Sequence, residues 1–248
     1  MSAGFPVGGA ETVERFGRQF RHFPVAVSTE AMALAWANKE DAPRGAAVVV
    51  DHEIGARGLH GRVWRVSAED SLSCAVVLRP ALSVEEADAI WLVGGLAAAK
   101  AAEAATGTQM NTWWPDSVTP VGSPDVVAAV RAEVQLGPGK VKSAVVTMRF
   151  DLPTLGIPVA RKDELLEAAL TAADEVAAEL DEGPAGVAAA YEKRCAMLNA
   201  RVRLELLPKG ETRGTVKRVS RTARLELESP SGMVERIGID QLRTLHLL

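Results

Sequence analysis

The sequence predicts an α+β fold, in which a large unit of alternating strands and helices is followed by a small all-β unit with the pattern of a barrel. Three observations carry this. Short apolar runs bounded by Gly, Pro or charges read as buried strands, as in "GAAVVVDHE" and "LSCAVVLRP". Residues 162–181 repeat Leu165, Ala169, Ala172, Val176 and Leu180 at three- to four-residue spacing with acids between them, which is one face of a helix. Beyond residue 196 the period shortens to alternation and the charge changes sign. Residues 196–248 hold ten Lys or Arg against six Asp or Glu, a net +4 that leaves −8 for residues 1–195 within a total of −4. That shift marks a boundary near residue 196.

Taken in order, 25–27 is a short β-prone run, and Ser28-Thr29 can cap a following helix because a hydroxyl accepts the first free backbone N–H groups. Strands follow at "GAAVVVDHE" and at "LSCAVVLRP", the second stopped by Pro80. A helix is expected from Ser83 to Gly107, since Ser83 and Glu86 have capping-box spacing and Val84, Ala87, Trp91 and Leu96 supply apolar surface. "MNTWWPDSVTPVGSPD" reads as loop, rich in proline. "VRAEVQL" and "VKSAVVTMRFDL" flank a Gly-Pro-Gly turn and form a hairpin. After the helix over 162–181 and the breaker "EGPAG", a second helix is expected over 187–198. "ARVRLELL", "GTVKRVS", "RTARLELES" and "MVERIGI" are short alternating strands.

Composition narrows the function classes. No run approaches the roughly 18 apolar residues of a membrane helix, and the first twenty residues lack the apolar core of a secretory signal, so a cytoplasmic protein with no membrane association is expected. Cys74 and Cys195 lack metal-ligand spacing, and the four histidines, His22, His52, His60 and His246, are unpaired in sequence.

The stretch "HEIGARGLHGRVW" is the one that suggests chemistry. Gly55, Gly58 and Gly61 let the backbone turn and approach a ligand, and Arg57 and Arg62 offer planar forks to phosphate or carboxylate. It is neither a Walker loop nor a dinucleotide fingerprint, and by composition alone it is either an ordinary surface loop or an anion site. The order of segments adds to this. A Ser-Thr pair at a strand end, the Gly-Arg loop closing on Trp64, a capped helix, a Trp-Pro-acid turn, a hairpin, two helices and a basic β tail together resemble the biotin/lipoate protein ligase family, and the biotin protein ligases in particular. The family's Gly-Arg-Gly-Arg-Arg-Gly-Arg-x-Trp is met here by Ala56, Arg57, Gly58, Leu59, His60, Gly61, Arg62, Val63 and Trp64. Its Lys-Trp-Pro-Asn-Asp is met by Trp113, Trp114, Pro115, Asp116 and Ser117.

The resemblance implies a class II aminoacyl-tRNA-synthetase/biotin-ligase-like catalytic domain, a mixed sheet with helices, over residues 1–195, and an SH3-like β-barrel over 196–248. It implies ATP-dependent activation of biotin or lipoate as an acyl adenylate and transfer to a lysine of a biotinyl or lipoyl carrier domain, chemistry that needs cations near the developing phosphoryl charge. Ligand contacts would fall on Ser28, Thr29, Glu53, Arg57, Gly58, Gly61, Arg62, Trp64, Trp113, Trp114, Pro115 and Asp116, with Asp116 also placed to hold Mg²⁺. Pairing of two chains through sheet edges would be in keeping with the family. Fewer than thirty residues precede Ser28, too few for a winged DNA-binding domain. The departures fall on charged positions. Leu59 replaces the arginine that holds the adenylate, Trp113 replaces the lysine before Trp-Pro, and Asp116-Ser117 replaces Asn-Asp. The family's Lys-x-x-Gly strand aligns with Lys140 in one register and with "VAAVRAEVQL", without a lysine, in the preferred one. Three readings follow: a divergent ligase, a catalytically degenerate module binding a ligand, carrier or partner, or an unrelated protein whose basic tail binds nucleic acid. The last requires the tail's arginines to gather on one face.

Overall fold

The computed structural model of the chain describes residues 10–248. Strands β1 (Val13–Arg15), β2 (Arg18–Ala26), β3 (Ala47–Glu53), β4 (Ser71–Leu78), β5 (Met110–Trp113), β6 (Ser117–Pro120), β7 (Ala128–Gly137) and β8 (Lys140–Asp151) form one sheet in the order β1-β2-β3-β4-β8-β7-β6-β5. β2 and β3 run parallel and the other neighbours antiparallel, so the sheet is mixed. A parallel step needs a crossover, and helix α1 (Thr29–Lys39) provides it, capped by the Ser28 side chain.

α1 lies on one face, where Ala33, Trp36 and Ala37 pack with Val48, Val50, Ala75, Val77 and Val145. The opposite face is covered by α2 (Ala89–Thr106), α4 (Lys162–Asp181) and α5 (Pro184–Arg194), after the single turn α3 (Leu152–Leu155). Strands buried on both faces read as unbroken apolar runs, which is why β3 and β4 are evident in the sequence. α2 is buried almost all round, approaching the sheet through Gly94 and α5 through Gly95. A Cβ on Gly94 would lie 2.3 Å from a Val130 methyl, and one on Gly95 would lie 2.7 Å from the Tyr191 ring.

Four expectations are corrected. The Ser83–Glu86 capping box holds a separate 3-10 turn, and α2 starts only at Ala89. The proline-rich stretch after α2 is not all loop, because β5 and β6 form a hairpin around Trp114, Pro115 and Asp116. The Gly-Pro breaker opens α5 rather than preceding it, since proline at the first helical position loses no hydrogen bond. β2 extends from Arg18 rather than from residue 25, its polar alternate residues hiding it.

The tail forms a second, antiparallel sheet of β9 (Arg201–Leu206), β10 (Glu211–Val219), β11 (Leu225–Glu228), β12 (Val234–Ile237) and β13 (Leu242–Leu247), in the order β12-β11-β10-β9-β13. β13 was not expected from the sequence. The two sheets are joined by the Trp114 indole, which donates to the Ala223 carbonyl at 2.8 Å, and by Glu192 of α5, which accepts from the Val219 N–H at 2.9 Å. Among the described residues no helix is long and apolar enough to cross a membrane.

Candidate functional site

The site lies at the end of the parallel step, where β3 runs out and α1 begins. The Thr29 N–H donates to Glu53 Oε1 at 2.6 Å, and the fully buried Thr29 hydroxyl has no hydrogen-bond partner. Arg149 of β8, 1% exposed, reaches Glu53 at 2.7 and 2.9 Å and also pairs with Glu30. Ser73 of β4 donates to the same Glu53 carboxylate. Burial works to raise the Glu53 pKa, but Arg149, Ser73 and the Thr29 N–H outweigh it and hold the carboxyl below the ordinary glutamate value. Burial likewise works against charge on Arg149, and the two carboxylates outweigh it, so its pKa is raised. Arg131 of β7 lies 3.8 Å from Glu30 and 2.5 Å from Glu133.

The Gly-Arg loop folds down over this cluster. His60 and Gly61 adopt left-handed backbone, with φ of +52° and +76°, which reverses the chain. The Gly58 N–H donates to the Arg62 carbonyl at 2.7 Å. From the sheet, Arg149 donates to the Arg57 carbonyl at 3.2 Å and Arg131 to the Gly58 carbonyl at 3.4 Å. Leu59, at the position of the family's adenylate-holding arginine, is buried in the core. Arg62 pairs with the buried Asp116. Burial raises the Asp116 pKa despite Arg62, Ser117 and the Leu59 N–H beside it. Trp64 closes the loop, donating to Ser71 Oγ at 3.2 Å. Beneath it Glu53, Arg57, Trp64, Ser71 and Ser73 line a pocket of about 110 Å³.

Ser28, Thr29, Glu53, Arg57, Gly58, Gly61, Arg62, Trp64 and Asp116 thus gather at one end of the large sheet. Trp113 is half-buried against the core, and Pro115 lies in the β5–β6 turn. Trp114 is 1% exposed, and its indole donates to the Ala223 carbonyl beside the second sheet. Lys140 is placed at the opposite end of β8 from Arg149, bridging Ser83. Sequence reasoning missed Glu30, Ser73, Arg131 and Arg149. One signal was present: a lone arginine in "AVVTMRF" must find a buried partner or leave the core.

The fit of the ligands implied by the resemblance can be tested on these contacts. Of the arginines around the loop, Arg62, Arg131 and Arg149 are each neutralised by carboxylates of the chain itself. Arg57 makes no ion pair among the described residues, and its side chain donates only to the Gly61 carbonyl at 3.4 Å. Asp116 faces Arg62, and among the described residues no three His, Cys, Asp or Glu side chains gather to hold a metal. A pocket of about 110 Å³ is well below the roughly 300 Å³ at which ligand sites of drug size begin. The arrangement does not fit a magnesium-bound triphosphate.

No protein-family model matches the chain. It is 28% identical over 133 residues to the bifunctional ligase/repressor BirA of Bacillus spizizenii, a match covering 54% of this chain and 40% of that protein. The BirA of Bacillus subtilis is 27% identical over 133 residues. The match therefore spans less than half the length of these curated relatives. Among solved structures, the biotin protein ligase of Aquifex aeolicus in complex with biotin and ATP superposes with a TM-score of 0.72 at 20% identity, over 92% of this chain and 99% of that one. A biotin protein ligase-like protein of unknown function from a Silicibacter species superposes with a TM-score of 0.67 at 15% identity, over 90% and 95% of the two chains. The fold is that of the biotin protein ligases. In sequence the chain resembles the BirA ligase/repressors distantly, over about half of its length.

Proposed function

We infer that this chain keeps the ligase fold as a binding module and has lost acyl-adenylate chemistry. In this reading residues 1–195 are the ligase-like domain and 196–248 an SH3-like barrel buttressing it. One observation carries the inference: cations beside the loop are already paired with carboxylates of the chain, Arg62 with Asp116 and Arg149 with Glu30 and Glu53. Stabilising a pentavalent phosphorus centre requires donors aimed at the developing charge, and Leu59 in the core cannot supply one. The outer side of the closed loop, with Arg57, Ile54 and Val63 exposed, is then the surface that meets a carrier domain or another partner.

A second reading, a working ligase using ATP, Mg²⁺ and biotin or lipoate, is favoured by the unpartnered Thr29 hydroxyl at a position matching the family's ring-contacting residues. ATP–pyrophosphate exchange in the presence of biotin or lipoate separates the two. No exchange above background is expected, and exchange that Arg57→Ala lowers a hundredfold would establish the ligase instead.

A further inference from the structure

The strand register of the second sheet places basic side chains opposite one another. Arg203 of β9 faces Arg213 of β10 on one side and His246 of β13 on the other. Arg201, two residues along on the same face, lies opposite Thr215, which lies opposite Glu228. Directly opposed residues have side chains about 5 Å apart, and like charges there are destabilising. A sheet of this kind ordinarily alternates signs across strands. Here Arg213 has only the exposed Glu211 at 2.7 Å, Glu228 is taken by Lys217 at 2.7 Å, and among the described residues Arg201 and Arg203 make no ion pair. The Arg203 Nε is buried without an acceptor.

This face is also concave. The turn after β11 folds up beside it, and Arg201, Arg213, Thr215, Glu228, Ser229 and Gly232 line a pocket of about 490 Å³, the Glu228 carboxylate there being paired with Lys217. That volume is in the range of sites for small ligands, roughly 300 to 1,000 Å³. Two guanidinium forks and a hydroxyl converge on it, and guanidinium is the group whose geometry matches phosphate oxygens in pairs. We propose that the outer face of the second sheet is a binding site for a phosphoryl group, held by Arg201 and Arg213 with Arg203 behind them. It lies on a different sheet from the Gly-Arg loop and does not depend on what that loop does.

A phosphoryl group can come from a small phosphate ester or from a nucleic-acid backbone, and the test distinguishes them. Full-length protein is titrated with pyrophosphate, followed by NMR or calorimetry, and with a fluorescein-labelled single-stranded oligonucleotide, followed by anisotropy. Both Arg201→Ala and Arg213→Ala change exposed side chains, and each should weaken binding about tenfold or more, whereas Arg161→Ala, an exposed residue outside both sites, should change nothing. Pyrophosphate binding without oligonucleotide binding assigns a small phosphate ester. Oligonucleotide binding that weakens steeply with salt assigns a nucleic-acid backbone. Absence of binding by both probes overturns the proposal, as does binding that is indifferent to Arg201→Ala and Arg213→Ala.

Discussion

Arg149 is where the candidate site and the stability of the fold meet, because one guanidinium compensates two buried carboxylates and holds a loop carbonyl as well. Removing one member of such a cluster leaves buried charge unpaired, which costs about 3 to 5 kcal/mol. Arg149→Leu should therefore lower the urea midpoint sharply without changing the denaturant slope, and a shift worth under 1 kcal/mol would mean that the cluster is solvated. The two buried carboxylates of the site respond to pH with opposite sign. Glu53 releases its proton more readily folded than unfolded, so it adds stability above its ordinary value of 4.5, lost as pH falls through the lower folded value. Asp116 holds its proton more tightly when folded, so its charge costs stability at neutral pH, and that cost is relieved as pH falls through the raised folded pKa. Asp116→Asn should accordingly be no less stable than the parent at pH 7, with any advantage shrinking toward acid pH. Thermal melts across pH decide this, and a loss at pH 7 of more than about 1 kcal/mol would show that Arg62 repays the burial.

Helix α2 depends on Gly94 for its closeness to the sheet and on Gly95 for its closeness to α5. Alanine is the better helix former by about 1 kcal/mol, yet the methyl of Gly94→Ala would meet Val130 at 2.3 Å in a packed core. Overpacking costs about 1 to 3 kcal/mol, so the variant should be destabilised in chemical denaturation, and a gain in stability would show that α2 can shift outward. Elements of this kind differ in how plainly the sequence announces them. α4 was legible over 162–181 because its apolar period, flanking proline and acids all agree, and the β7–β8 hairpin because a Gly-Pro-Gly turn separates two apolar runs. β5 and β6 were not, being four residues each and interrupted by proline, too short for a period to show. The loop at 56–64 was visible for the same local reason. Its partners were hidden, because Arg149 meets Glu30 across 119 residues and Arg131 meets Gly58 across 73, and only the folded sheet brings such positions together.

At the scale of the whole molecule, Trp114 ties the two sheets into one cooperative body. Its indole fills the core beside the second sheet and donates to the Ala223 carbonyl. Replacing a buried tryptophan by alanine costs about 3 to 5 kcal/mol, and here the loss falls on the junction. Calorimetry should show one transition for the parent and two for Trp114→Ala, the second sheet melting first, whereas a single shifted peak would mean that α5 alone suffices to couple them. The closed loop has a further consequence, in time rather than in energy. The loop residues Arg57, Val63 and Trp64 line the pocket together with Glu53 and Ser73, so a ligand larger than that pocket can reach Ser73 and Glu53 only after the loop moves aside. Observed association rates for any such ligand should stop rising with its concentration and level off at the frequency of loop opening, a plateau that stopped-flow traces would read directly.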